Sequence, residues 1–252
     1  MLDDRLVNFP RLIFVICFIL LGISVFVGDY LRRLRPVEEG RREDFSVVQG
    51  ATLTLLGLLI GFTFSMAVGR YDQRKDYEEA EANAIGTEYV RAQLLPVSDT
   101  EKLQDLLKQY VDQRILFYTA QRGQQLGQIN ERTSQLQSQL WSVVQSRAAV
   151  QQNPMIALAV SGMNDVLNSQ GYTQAAWWNR IPRSAWALLA AIAVVSNLLI
   201  GYGAHRRSIL LFTIVPLTVS VSFFLVADID SPRRGMIRVQ PENLMALRQT
   251  MR

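Results

Sequence analysis

Charged and uncharged positions fall into long blocks along the chain. Four runs carry no charged residue: Leu12 to Val27, Val47 to Gly69 in the stretch that closes on Arg70 and Tyr71, Ala185 to Gly201, and Ile209 to Ala227. Each approaches the roughly 20 residues that a helix needs to cross a bilayer. The first is short, but Gly28 and a snorkelling Arg11 extend it. It leaves through Asp29-Tyr30-Leu31-Arg32-Arg33, which reads as an interfacial anchor and not as the small-residue exit of a cleaved signal peptide. The loop from Asp29 to Asp44 balances Arg32, Arg33, Arg35, Arg41 and Arg42 against Asp29, Glu38, Glu39, Glu43 and Asp44, so a solvated loop at headgroup level is expected.

Between the second and third runs the pattern becomes polar with an apolar residue every third or fourth position, the period of a helix with one buried face. No Gly or Pro breaks the polar stretch from Asp72 through Lys75 and Glu79 to Glu81, so the second spanning helix is expected to continue to about Leu95, where Pro96 ends it. Ser98-Asp99-Thr100-Glu101 reads as a capping box, followed by an apolar face of Leu103, Leu106, Leu107, Tyr110, Val111 and Ile115 and an exit at Gly123 and Gly127. A second helix from Asn130 to Gln151 turns Leu136, Leu140, Trp141, Val143 and Val144 inward. A third starts at the Asn153-Pro154 cap and runs to about Ser169, before Gly171. Trp177, Trp178 and Trp186 bracket Arg180 and Arg183 as an interfacial belt, His205-Arg206-Arg207 makes a short turn, and Pro216 is placed to kink the fourth span. The fold class is therefore all-α: four transmembrane helices with a helical domain between spans two and three. The boundaries are 1–70 for the first two spans, 71–180 for the helical domain, 181–227 for spans three and four, and 228–252 for a tail.

The second run is the most informative. At about 3.6 residues per turn, Thr54, Leu58, Phe62, Ser65 and Gly69 share one stripe, with Gly50, Gly57 and Gly61 on its flank. The stripe reads as a lining and the flank as a packing seam, since small residues four apart let helix backbones approach in lipid. The same pattern also fits the seam that any transmembrane bundle contains. Arg70, Arg74 and Lys75 follow at the mouth; Arg70 projects away from the lining stripe, which favours structural pairing with an acid on another helix.

Composition narrows the function. The 252 residues carry a formal net charge of +4, but the basic residues flank apolar runs and form no clustered patch, so headgroup contact explains them and nucleic acid is not an expected partner. One cysteine, Cys17, and one histidine, His205, leave neither a disulfide framework nor a His-rich metal site. No acid or base sits in the middle of a span, which argues against a proton-driven motor or transporter. Glu78, Glu79, Glu81 and Glu88 share a helix with Arg74, Lys75 and Arg91 and read as a solvated, charge-laced face, not as catalytic carboxylates. With no nucleophile triad and no phosphate loop, an enzyme is not expected. The excess of Lys and Arg on the juxtamembrane ends of the helical segment and its tail puts that segment and both termini in the cytoplasm.

The segment GFTFSMAVGRYDQR, Gly61 to Arg74, resembles the second transmembrane helix of bestrophins, in which a Gly-Phe pair opens a run of small and branched residues that closes on an Arg. EEAEANAIGTEYVRAQLLP, Glu78 to Pro96, and VADIDSPRRGMIRV, Val226 to Val239, are similar to the bacterial bestrophin-like family of four-span membrane proteins, and that likeness covers nearly the whole chain. The resemblance implies a homo-oligomeric channel of the bacterial inner membrane, pentameric as bestrophins are, that passes inorganic anions such as chloride or bicarbonate through a pore lined by the second span. It places the three-residue apolar neck on Thr54, Leu58 and Phe62; Thr54 departs from the pattern, which is aliphatic there. Thr54 and Ser65 would offer hydroxyls to a partly dehydrated anion. The resemblance also points to Asp228 and Asp230, where bestrophins carry an acidic cluster that binds calcium. Two acids fall short of the six to eight oxygens that calcium takes, so capping by Asp230 or Ser231 and pairing of Asp228 with Arg233 or Arg234 are preferred, and no cofactor is expected. The competing reading is a non-conducting scaffold or signalling protein, partner-binding or stator-like, with lipid and copies of itself as partners in either case.

Overall fold

The structure, a computed structural model, describes residues 9–36, 39–120, 123–151, 153–204 and 209–251. Among these, eight α-helices and two short 3-10 turns account for the regular structure, and there is no strand. In chain order the helices are α1 (Pro10–Leu34), α2 (Arg42–Arg91), α3 (Val97–Thr119), α4 (Gly123–Val150), α5 (Pro154–Trp178), α6 (Arg183–Gly203), α7 (Ile209–Asp230) and α8 (Glu242–Thr250). Four of them contain the apolar stretches long enough to cross a membrane, in α1, α2, α6 and α7. The expectations for Glu38 and the His205-Arg206-Arg207 turn lie outside the described residues.

The chain divides into two units, one of residues 1–70 and 180–238, the other of residues 71–179 and 239–252. In the first, α1 packs along α6 and α7. The α1–α6 contact is a backbone approach at two glycines: a Cβ at Gly28 would sit 2.1 Å from the Leu198 carbonyl oxygen, and one at Gly201 would sit 1.9 Å from that of Val25. Ser24, Val25, Ser196 and Asn197 are buried along the same contact, and Ser24 and Asn197 spend their donors on carbonyls of their own helices, Leu20 and Ala193. That satisfies these two donors where hydrocarbon offers no water, while Ser196 Oγ and Asn197 Oδ1 stay buried without a hydrogen bond.

In the second unit the expected apolar faces of α3 and α4 close a core with a face of α5. Leu103, Leu107, Tyr110 and Val111 of α3, Leu136, Leu140, Val143 and Val144 of α4, and Ile156, Ala159, Met163 and Val166 of α5 are all buried. Several boundaries differ from the sequence reading. The capping box is not formed: Pro96 precedes α3 without a side-chain cap, and the Thr100 hydroxyl donates back to the carbonyls of Ala92 and Leu95, tying the end of α2 to the start of α3. Gly123 opens α4 instead of closing α3, and α5 continues through Gly171 to Trp178. The Asn153 cap forms as expected, its side chain accepting from the Ile156 amide at 2.9 Å. Trp177 does not belong to an interfacial belt. It is buried against Phe117 and Tyr118, with ring centroids 5.0 and 5.4 Å away. Trp178 is exposed, and Trp186 packs edge-on against Phe223.

The segment from Asp29 to Asp44 is not a solvated loop throughout. α1 continues to Leu34 and keeps Asp29 fully buried, where its carboxylate accepts from Arg32 at 2.7 Å and Arg33 at 3.2 Å. Local pairing at helical spacing makes a buried carboxylate tolerable, and burial without such partners would be costly.

The exposed face of α2 and the acids below it

The buried positions of α2 form a single stripe. Leu56, Thr63, Ala67, Arg74, Glu78, Glu81, Ile85 and Glu88 follow one another at intervals of three, four or seven residues. The stripe is uncharged before Arg70, and after it carries Arg74 and three glutamates with Ile85 among them. Opposite it, Gly50, Thr54, Gly57, Leu58, Gly61, Phe62, Ser65 and Gly69 are all exposed within the single chain. Leu58 and Phe62 keep 54% and 60% of their surface, and nothing lies within 4 Å of a Cβ built on Gly50, Gly57, Gly61 or Gly69. Of the four apolar windows, that of α2 is the least covered, at 17% buried against 50% for α7. The sequence-derived lining and seam therefore share one uncovered face. Thr54 differs from the expectation in one respect: its hydroxyl donates to the Gly50 carbonyl at 2.9 Å, so its proton points into its own helix.

Arg70, half-buried, has partners in the fold. Arg74 is only 1% exposed and its Nε donates to the Ala176 carbonyl at 3.4 Å, which makes it a packing residue between α2 and α5. Lys75 is exposed.

The glutamates of α2 overturn the expectation of a solvated face. Glu79 is exposed, but Glu78, Glu81 and Glu88 are buried. Glu81 is bound by the Arg114 guanidinium of α3 and also accepts from Tyr118 at 3.3 Å and Thr173 at 3.1 Å. Arg114 in turn stacks on Phe117, 4.4 Å from the ring centroid. Burial works against the Arg114 charge, and Glu81 outweighs it, so its pKa lies above the ordinary value. Glu78 accepts from the Asn243 side chain at 2.6 Å and the Leu244 amide at 2.9 Å, at the start of α8. Burial nevertheless raises its pKa, against the pull of those two bonds. Glu88 is a different case. Neither oxygen accepts a hydrogen bond, and the carboxyl lies on Gly162 of α5, where a Cβ would stand 2.0 Å from its Oε2. Burial pushes its pKa up to about 8, with Arg91 opposing and Asp165 adding to the rise.

Asp228 does not pair with Arg233 or Arg234. Asp228 accepts from the Met236 and Ile237 amides at 2.8 and 2.9 Å, folding the Ser231–Gly235 turn back on the end of α7. Gly235 is required there, because a Cβ would stand 2.1 Å from the Asp228 carbonyl oxygen. Asp230 accepts from the Ile181 amide at 3.2 Å, ahead of α6. Both carboxylates are thus occupied by backbone N–H groups, and no group of three or more metal-ligating side chains occurs among the described residues.

The family model for a bestrophin-like domain matches residues 18–244. The chain belongs to the bestrophin-like family. No curated protein matches it. Its fold is similar to that of a bacterial bestrophin homologue from Klebsiella pneumoniae: one crystal structure, of a point mutant, is 11% identical with a TM-score of 0.66 over 96% of this chain and 97% of the other. Another, phased on zinc, is 12% identical with a TM-score of 0.64 over 95% and 94%. At such identities the likeness carries the fold alone.

Proposed function

We propose that copies of this bestrophin-like chain assemble in the bacterial inner membrane around an axis lined by the exposed face of α2, forming a channel for inorganic anions such as chloride or bicarbonate. The observation that carries the reading is that Leu58 and Phe62, with Gly50, Gly57 and Gly61 beside them, form one uncovered face of a membrane-crossing helix whose opposite face is buried. A ring of such helices provides both a close small-residue seam between copies and an apolar constriction that gates by dewetting. Five copies, with the helical unit and both termini in the cytoplasm, is the arrangement implied by the bestrophin resemblance and favoured by the charge bias.

Anion flux into liposomes, measured beside oligomer mass, tests the proposal. Phe62→Ala widens an apolar ring and is expected to raise flux while the oligomer persists. Gly61→Leu fills the seam and is expected to break assembly. A Phe62→Ala protein that assembles normally and conducts no better than the parent removes the neck assignment. Absence of flux from the parent, together with a stoichiometric protein partner, favours the scaffold reading.

A further inference from the structure

The α5 turn at Gly162 rests on two side chains of α2 that would ordinarily pair with each other. A Cβ at Gly162 would stand 2.0 Å from Glu88 Oε2 and 2.6 Å from Arg91 Nη1, so both side chains reach the same glycine. An acid and a base three residues apart on a helix meet readily. Here they do not: Glu88 is fully buried, neither of its oxygens has a hydrogen-bond partner, and Arg91 is half-buried beside it. A carboxylate in that seat is an uncompensated buried charge, which costs far more than a neutral carboxyl without a partner. The cation that would relieve it lies three residues along the same helix.

The other elements supply no substitute. Asp165, one turn along α5 from Gly162, is itself an acid and adds to the unfavourable charge. On α3, Lys108 lies 6.0 Å from the centroid of the Tyr89 ring and 3.9 Å from Asp105. On α8, which sets Leu247 against Gly86, Arg248 is taken by Asp112, and on α4 Arg147 is taken by Asp99. Further along, α2 holds α5 by contacts in which Glu88 has no part: Arg74 donates to the Ala176 carbonyl, Glu81 accepts from Thr173, and Tyr77 stacks on Tyr172 with ring centroids 5.9 Å apart. These ties lie in the last turns of α5, so the Gly162 turn can part from α2 while residues 172–176 stay attached.

We propose that the α5 turn around Gly162 is a proton-linked latch on α2, which opens with release of the Glu88 proton to solvent and leaves the freed carboxylate paired with Arg91. The latch operates whether or not the chain conducts. Seated, the carboxyl keeps its proton up to about pH 8; freed, it titrates near 4.5, so each pH unit between these values favours opening by up to about tenfold, and the effect levels off above pH 8. Hydrogen exchange of the full chain in detergent, expressed as protection corrected for the intrinsic pH dependence, tests this. Between pH 5 and pH 8 the protection of residues 158–166 is expected to fall by up to about tenfold per unit, while that of residues 172–178 holds. Glu88→Gln is expected to abolish the pH dependence in this turn. Gly162→Ala puts a methyl group in the seat, so the turn is expected to be poorly protected already at pH 5, and the carbon-13 carboxyl resonance of Glu88 to titrate near 4.5 where the parent titrates near 8. Protection in the parent that does not change with pH, a parental slope retained in Glu88→Gln, or a Glu88 midpoint near 4.5 in the parent overturns the latch. An equal fall over residues 172–178 also overturns it, because it reports opening of the whole unit and not of this turn.

Discussion

Glu88 is fully buried on Gly162 without a hydrogen bond to either oxygen, and two outcomes follow from that placement. In the unfolded chain the carboxyl titrates near its ordinary value of 4.5, and in the folded chain near 8. Between those values the folded state holds the proton and the unfolded state does not, so this residue makes stability fall as pH rises through the window, by on the order of a few kcal/mol in all. Glu88→Gln is expected to flatten the decline in melting temperature between pH 5 and pH 8 and leave the residual slope that Glu78 contributes; a parent whose stability rises across the window, or a variant with an unchanged slope, removes the assignment. The Glu81–Arg114 pair presents the opposite physics, since both members are fully buried and hydrogen-bonded to each other. Arg114→Met leaves Glu81 with only Tyr118 and Thr173 as donors and is expected to cost about 3–5 kcal/mol, most of which the Glu81→Leu, Arg114→Met double variant recovers. A double-mutant cycle by thermal unfolding measures this, and strict additivity would show that the two charges do not act as a pair.

Within an element, the deciding distances are those between backbones. Gly28 and Gly201 let α1 and α6 approach until a carbonyl oxygen of each helix occupies the space of a methyl group on the other. Gly201→Ala must move a backbone and not a flexible side chain, so a loss of about 1–3 kcal/mol or more is expected, whereas Gly57→Ala, facing open space in the single chain, is expected to leave monomer stability unchanged. Melting of the two variants as detergent-solubilised monomers decides it, and equal losses would refute the α1–α6 approach. The sequence singled out Gly50, Gly57 and Gly61 because they repeat on one helix, while Gly28 and Gly201 stand at the ends of different spans and their complementarity appears only when the helices are paired. The same limit explains the acids of α2. Their three- and four-residue spacing was legible, and it continues the apolar stripe of Leu56, Thr63 and Ala67, but charge alone suggested solvent; the partners Arg114, Tyr118 and Thr173 lie 33 or more residues away in sequence. The four spans, the long second helix and the inward faces of α3 and α4 were legible because period and length are local properties.

Across the whole chain, the second unit is assembled from two separated segments, residues 71–179 and 239–252, so the C-terminal helix completes a core begun more than a hundred residues earlier. α8 is attached in two physically different ways. Leu244 is fully buried and joins the apolar cluster, while Glu78 of α2 accepts from its amide and from the Asn243 side chain. Arg248 meets Asp112 of α3 at 2.7 Å, but both side chains keep more than a third of their surface in solvent. Removing Leu244 side-chain atoms leaves a cavity and is expected to cost about 2–5 kcal/mol, whereas an exposed pair is screened and contributes about 0–1 kcal/mol. Leu244→Ala should therefore lower the melting temperature of the full chain and speed proteolysis near residues 239–251, and Arg248→Gln should do neither. If Arg248→Gln destabilises as much as Leu244→Ala, then surface charge and not apolar burial holds the tail to the helical unit. Loss of tail protection in Leu244→Ala without a change in melting would instead mean that α2 to α5 close their core without α8.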